Sequence, residues 1–348
     1  MVQFTANLIL SIMPERNPNL IKVIRLLKTT SSISIAPEIT AATEGTKKEV
    51  FNRIKKSPEV VTDPNSPDLA GFHDLMTRIF NTGEVEPLEV FQKELAESKL
   101  EDAQIKYICI VMKDPLLDEP DKDANGEKKI NTVVSGAYGS VQKGVLAFRF
   151  TATECDQVII DEQEGDEIGT AFKNGEFVGY RNANIAEKAD KALIHEAEKE
   201  SLKKGEPLRA LVGECVAPSE AFWNRCKIAG NGMKRLYSPD TNEQIYYRLP
   251  PLEWNSDGTP TSNAIITENL QVAFAGHPNQ VPVETLIETL RSWWKSWYFR
   301  PRDMFESDEA HAKHTETVKA ILEDEVIAPL KKHKVLNLLS KAEREKIT

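Results

Sequence analysis

The sequence is poor in cysteine, and its few thiols are not spaced as a metal site or a disulfide framework needs. Four cysteines occur in 348 residues: Cys109, Cys155, Cys215 and Cys226 stand far apart with no Cys-x-x-Cys pair, which argues against zinc and against a bridged secreted scaffold. Reduced, partly buried thiols are the expectation. No window approaches the roughly eighteen consecutive apolar residues of a membrane-spanning helix. The short apolar stretch Leu8 to Met13 is broken by Pro14 and Glu15, with no basic cluster before it and no small-residue cleavage site after it, so it does not read as a signal peptide. A long basic run is missing too. The formal net charge is -10, with Lys and Arg interspersed among Asp and Glu, which argues against nucleic-acid binding as the main activity. Repeats and low-complexity segments are absent. Together these absences predict a soluble, cytoplasmic protein with neither membrane nor nucleic acid as partner.

What is present is an ordinary globular composition: 40% hydrophobic and 28% charged residues supply a core and leave no extended disordered class open. A chain of 348 residues fits one large domain with additions, or two domains.

Three regions follow from the patterning. Residues 1–67 read as an N-terminal extension, with a candidate helix Asn19 to Lys28, a basic helical stretch Lys47 to Lys56 and a turn-rich linker Asp63-Pro64-Asn65-Ser66-Pro67. Residues 68–251 read as the main domain. It opens with two helices, Phe72, Leu75, Met76, Ile79 and Phe80 on the first and Val90, Phe91 and Leu95 on the second. Strands follow at Lys106 to Met112, Thr132 to Gln142 and Val145 to Thr153, with Lys143-Gly144 as a tight hairpin turn. An acidic excursion holds a small hairpin, Gln157 to Asp161 with Glu167 to Phe172. Ile185 to Lys204 is a long helix stopped by Gly205, Arg209 to Val216 a buried strand, and Ser219 to Ile228 a helix opened by Pro218. Arg235 to Ser238 and Gln244 to Arg248 return as strands. Residues 252–348 read as an α-rich appendage: one possible strand at Leu270 to Ala275, then helices at Pro282 to Tyr298, Glu316 to Lys332 and Lys334 to Lys346. The fold class expected is α/β, a mixed, mostly antiparallel sheet flanked by helices.

The run Thr132-Val-Val-Ser-Gly-Ala-Tyr-Gly-Ser-Val-Gln-Lys-Gly-Val-Leu-Ala-Phe-Arg-Phe150 resembles the central hairpin of the GNAT superfamily of acyl-CoA-dependent N-acyltransferases. Tyr180-Arg181-Asn182-Ala183-Asn184-Ile185-Ala186, ahead of the long helix, resembles that superfamily's R-x-x-G-x-G/A signature, and Leu211 to Val216, Ala221 to Arg225 and Gly232 to Tyr237 resemble its later strand, helix and strand. The resemblance covers about half the chain. It implies that Arg181, Asn182, Ala183, Asn184, Ile185 and Ala186 hold the pyrophosphate of acetyl-CoA or another acyl-CoA, used as cosubstrate. Backbone N–H groups converging at a helix N-terminus suit such an anion. Asn184 stands where the signature has its first glycine, and an ordinary helix N-terminus with Arg181 as a surface cation is the plainer reading.

Amine acylation needs a base, oxyanion donors and an acid for the departing thiolate. Glu154, at the end of a strand, and Glu214, a carboxylate inside an apolar strand, are the candidate bases. Their plainer readings are a solvated strand end and a structural ion pair, for example with Arg209 or an Arg elsewhere. The superfamily's acid is often a Tyr on the helix after the fifth strand; Phe222-Trp223-Asn224 has no phenol there, so Tyr237 on the next strand is the substitute, against a role in the core. His311 and His314 have helical metal-ligand spacing without further ligands. Trp293, Trp294, Trp297, Tyr298 and Phe299 read as an anchor for the appendage, or as a cradle for an acyl chain or a stacking surface for a ring; Arg291, Lys295, Arg300 and Arg302 among them offer a surface for an anionic substrate or nucleotide. Two functions are carried forward: an N-acyltransferase, with a small-molecule or peptide amine as acceptor and a homo-oligomer as a possible assembly, and a catalytically silent binding or interaction module of the same fold.

Overall fold

The computed structural model describes residues 58–80, 85–114, 133–153, 158–160, 168–170, 172–173, 176–177, 185–215, 220–251, 253–261 and 267–346. Contacts divide the chain into two units: Met1–Asn52 with Cys155–Ala183, and Arg53–Glu154 with Asn184–Thr348. The first unit's described residues form two small hairpins. Strand β5 (Val158–Ile160) pairs with β6 (Ile168–Thr170), the hairpin read from the acidic excursion, and β7 (Phe172–Lys173) pairs with β8 (Glu176–Phe177).

The second unit is built on one ten-stranded sheet. Its strands are β1 (Glu59–Val61), β2 (Lys106–Lys113), β3 (Val133–Gln142), β4 (Val145–Thr153), β9 (Ala210–Cys215), β12 (Lys234–Tyr237), β13 (Tyr247–Arg248), β14 (Thr267–Phe274), β15 (Gln280–Pro282) and β16 (Val335–Leu339). The order is β1-β2-β3-β4-β9-β14-β12-β16-β15, with β13 also on β14. Every pairing is antiparallel except β4 with β9. This is the mixed, mostly antiparallel sheet expected.

Helix α1 (Pro67–Ile79) starts where Ser66 accepts from the Asp68 N–H and Pro67 occupies the first turn, a position that needs no N–H donor. Its Leu69, Phe72, Leu75 and Met76, with Phe91 and Leu95 of α2 (Leu88–Glu97), recur every three or four residues and bury against β2–β4. The β3–β4 turn is the predicted one. Lys143 and Gly144 have φ of 50° and 69°, the left-handed pair that a two-residue hairpin demands. A Cβ on Gly144 would lie 2.4 Å from the Pro207 carbonyl oxygen. Gly144→Ala therefore lowers stability by about 2 kcal/mol or more, measurable as an earlier urea midpoint at unchanged slope.

Helix α3 (Ile185–Lys203) covers the other face of β2–β4, burying Ile185, Ala189, Leu193, Ile194 and Ala197, with the polar Asp190 on the same stripe. After β9 the chain departs from expectation. The helix predicted over Ser219 to Ile228 shrinks to one turn, α4 (Glu220–Trp223), followed by a hairpin of β10 (Lys227–Ile228) and β11 (Asn231–Gly232). Ala229 and Gly230 at φ of 48° and 84° make its turn, which ends helical propagation.

The sheet also overruns both sequence boundaries, since β1 precedes residue 68 and β14–β16 follow residue 251. Helix α5 (Val283–Trp297) places Leu286, Leu290, Trp293 and Trp294 in the core over β9 and β14. Helix α6 (Asp308–Ala320) runs on through π-helical turns Ile321–Ile327 and a last turn Ala328–Leu330. Lys334 to Lys346 is not one helix. Val335–Leu339 enters the sheet between β12 and β15 with Leu336 and Leu338 buried, and only α7 (Lys341–Arg344), closed by a Ser340/Glu343 capping box, is helical. Among the described residues no helix is long and apolar enough to cross a membrane.

Candidate functional site

The one parallel pairing among the described residues is also where the sheet opens. The β4–β9 ladder joins Val145, Leu146 and Ala147 to Ala210, Leu211 and Val212 and stops there, while β4 continues to Thr153 and β9 to Cys215. Strand β9 keeps its full ladder with β14, and β4 keeps its own with β3. Beyond Ala147 no strand among the described residues pairs with the outer edge of β4. The divergence has a local cause: Gly139 faces Phe148 and Tyr138 faces Phe150, so Arg149 is the extra residue of a bulge, which twists and bends its strand.

The bulge turns Arg149 and Phe150 to the same face. There Arg149 meets two carboxylates from the α1–α2 region, bonding Glu86 through Nη2 and reaching both oxygens of Glu94 through Nη1 at 2.7 and 2.8 Å. Arg300 reaches the same Glu86 oxygen at 2.5 Å, and the Tyr138 hydroxyl donates to Glu94 at 2.6 Å. Burial works to raise the pKa of Glu86, but two guanidiniums outweigh it and hold the carboxyl down at about 2. Glu94 goes the other way: burial dominates, one guanidinium only partly offsets it, and neighbouring Glu86 adds repulsion.

Glu214 is the first residue of β9 past the ladder to point to the α5 face, as strand alternation predicts. The hydroxyls of Tyr247 on β13 and Tyr298 just after α5 both donate to its Oε1. Burial, then the negative carboxylate, pushes both phenols well above their ordinary pKa, so they remain protonated donors. Trp297 stacks on Tyr298 at 5.7 Å between centroids and lies 6.5 Å from Phe150, joining this cluster to the Arg149 cluster. The ion pair considered for Glu214 with Arg209 is not formed; Arg209 bonds the Lys143 carbonyl and faces Glu288 at 3.6 Å.

On the opposite face, fully buried Asp190 of α3 accepts from Thr151 Oγ1 at 2.8 Å, beyond the end of the ladder, and from the Cys226 thiol at 3.6 Å. Burial raises this carboxyl to about 7, the hydrogen bonds from Thr151 and Cys226 pulling the other way.

The other sequence candidates separate. Tyr237 is buried on β12, which β14 separates from β9, and its hydroxyl accepts from Arg344 at 3.0 Å; nothing brings it to Glu214. Glu154 and Arg181, Asn182, Ala183 and Asn184 lie outside the described residues, while Ile185 and Ala186 form the first turn of α3. His311 and His314 clasp the backbone of Arg300, at its carbonyl and its N–H, each at 3.1 Å. Among the described residues no cluster of three His, Cys, Asp or Glu could hold a metal ion. The aromatics of α5 are core, and its neighbouring cations have protein partners, Arg291 gripping Glu323 at 2.8 and 2.9 Å and Arg302 pairing with Asp308. Arg149 and Tyr247 are absent from the sequence candidates, and Tyr298 is among them only as one of the aromatics around α5. An arginine inside the otherwise apolar Val145 to Phe150 is the available signal for the first; Tyr247 has none.

Solved structures similar to this chain include three acetyltransferases. A GNAT-family acetyltransferase from Staphylococcus aureus is 10% identical, with a TM-score of 0.32, over 63% of this chain and 99% of its own. The ribosomal-protein-S18-alanine N-acetyltransferase of Escherichia coli is 12% identical (TM-score 0.31, 63% and 94% covered). The PaiA N-acetyltransferase of Thermoplasma acidophilum, solved with coenzyme A, is 13% identical (TM-score 0.29, 63% and 99% covered). No protein-family model and no curated protein matches the chain. The sheet order and its split stand on this chain's own geometry.

Proposed function

We propose that this protein is an acyl-CoA-dependent N-acyltransferase that transfers an acyl group, acetyl in the simplest case, to an amine on a small molecule or peptide in the cytoplasm. The observation that carries the reading is the parted pair of parallel strands, with a bulge at Arg149 and a ladder that ends at Ala147 and Val212. An extended ligand rich in amides fits such a place, because the outer edge of β4 offers backbone groups of the kind that strand addition uses. Acyl-CoA supplies a thioester carbonyl and a thiolate leaving group. In this reading Glu214, half-buried past the end of the ladder, takes the proton of the attacking ammonium. Tyr247 and Tyr298 hold that carboxylate in place and keep its charge within reach of the split.

A silent binding module of the same fold is the second reading, and the closure of Glu214 by two phenols favours it: both donate to the same carboxylate oxygen, Oε1, and occupy it. One series of measurements separates the two. Acetyl-CoA at a hundred times its dissociation constant should stabilise the native state by about 2.7 kcal/mol through mass action, seen as a saturable rise in melting temperature. Glu214→Gln should keep that rise and lower acyl transfer by about 10²–10⁴-fold. No rise at millimolar acyl-CoA overturns the enzyme reading, and a rise with full activity in Glu214→Gln removes Glu214 as base.

A further inference from the structure

Outside the split, α3 and the turn after α4 enclose a separate pocket of about 250 Å³, lined by Glu187, Lys191, Ile194, Arg225 and Lys227. Three cations and one carboxylate meet there, in a chain whose formal net charge is -10. Glu187 is shared: Lys191 approaches it at 2.7 Å and Arg225 at 3.3 Å. Among the described residues no carboxylate lies within ion-pair distance of Lys227 on β10. Nearby Asp190 does not neutralise it, because that side chain points inward to Thr151 and Cys226. The pocket therefore carries net positive charge, with the largely buried Ile194 as an apolar wall. A site with two flexible ammonium groups, one guanidinium and an apolar wall suits a compact dianion joined to an organic ring.

We propose that this pocket binds a phosphate monoester carried on a nucleoside, and, resting on the acyl-CoA reading above, that it receives the ribose phosphate of the cosubstrate. The cations sit on α3 and on the hairpin that follows α4, so occupancy would tie these two segments together. Because the pocket is open to solvent, its contribution is modest and falls with salt.

The test compares CoA with dephospho-CoA, which lacks only that monoester, by calorimetric titration on the full chain. The expected result is about tenfold tighter binding of CoA, the lower range for a charge-assisted contact. That gap should close in Lys191→Glu/Lys227→Glu and persist in Lys199→Glu, which changes the charge of α3 away from the pocket. All three cations are exposed, so unchanged melting of the variants is the control for folding. Equal affinity for the two ligands overturns the proposal while leaving the acyl-CoA reading intact. Binding of neither ligand removes the acyl-CoA reading, and inorganic phosphate then decides: a saturable rise in melting temperature, absent with equal chloride and lost in the double variant, keeps a phosphate site, and no such rise overturns it.

Discussion

Arg149→Met should lower the free energy of unfolding by about 3–5 kcal/mol, the usual consequence of leaving buried carboxylates without their cation, measured by urea denaturation at neutral pH. The magnitude follows from where the bulge puts the guanidinium: 4% exposed, against Glu86 and Glu94 at 9% and 13%. The two carboxylates should not respond alike. Glu94→Gln should cost much less than Glu86→Gln, because burial already holds Glu94 towards its neutral form whereas Glu86 depends on two arginines. The acid branch gives an independent reading. Glu86 has its folded pKa lowered from 4.5 to about 2, so its stabilisation is complete above the ordinary value and is lost as the pH falls towards the folded one. An equal cost for the two Gln variants would mean that the arginines do not distinguish the carboxylates. Since Arg149 is also the bulge residue, loss of acyl-CoA stabilisation in a still-folded Arg149→Met protein would link the ion network to the shape of the split.

Much of this architecture was legible because it rests on local rules. Alternation and Lys143-Gly144 marked the β3–β4 hairpin, and three-to-four spacing marked α1, α2, α3 and α5. The failures were equally physical. Val335–Leu339 carries residues that a helix accepts readily, and only the slot between β12 and β15 makes it a strand, a tertiary override of propensity. Glu214 reads from sequence as a carboxylate needing a partner, but the two phenols that hold it are out of local reach, 33 and 84 residues away along the chain. Tyr237 was the nearer phenol in sequence and belongs to a different part of the sheet. Likewise Arg149 and Glu86 are 63 residues apart. A bulge itself leaves no mark in composition: it exists only as a mismatch between two strands, and here it sets both the split and the direction of Arg149.

The second large effect is expected at Asp190, where a polar side chain occupies the buried stripe of α3. Its carboxyl titrates at about 7 in the folded protein against an ordinary 3.8, so the folded state prefers the neutral acid and takes up a proton that the unfolded chain has already released. The sign is the reverse of that at Glu86: as the pH rises from about 4 to about 7 this group withdraws stability, and above about 7 the whole penalty is present. Three pKa units correspond to about 4 kcal/mol at most. Asp190→Asn never ionises and retains an oxygen for the Thr151 hydroxyl. It should therefore be more stable than the native protein by up to about 4 kcal/mol at pH 8, with the advantage vanishing near pH 4. The Cys226 thiol does not confuse the titration, since burial and then the adjacent carboxylate push it well above its ordinary range. Thr151→Val, which removes a donor to the charged form, should move the midpoint of the pH dependence upward. A difference between Asp190→Asn and the native protein that stays constant across pH would show that Asp190 does not change protonation on folding. A pH-dependent gain accompanied by lost acyl-CoA binding would place this carboxyl, across β4 from Arg149, in the service of the split as well as of the core.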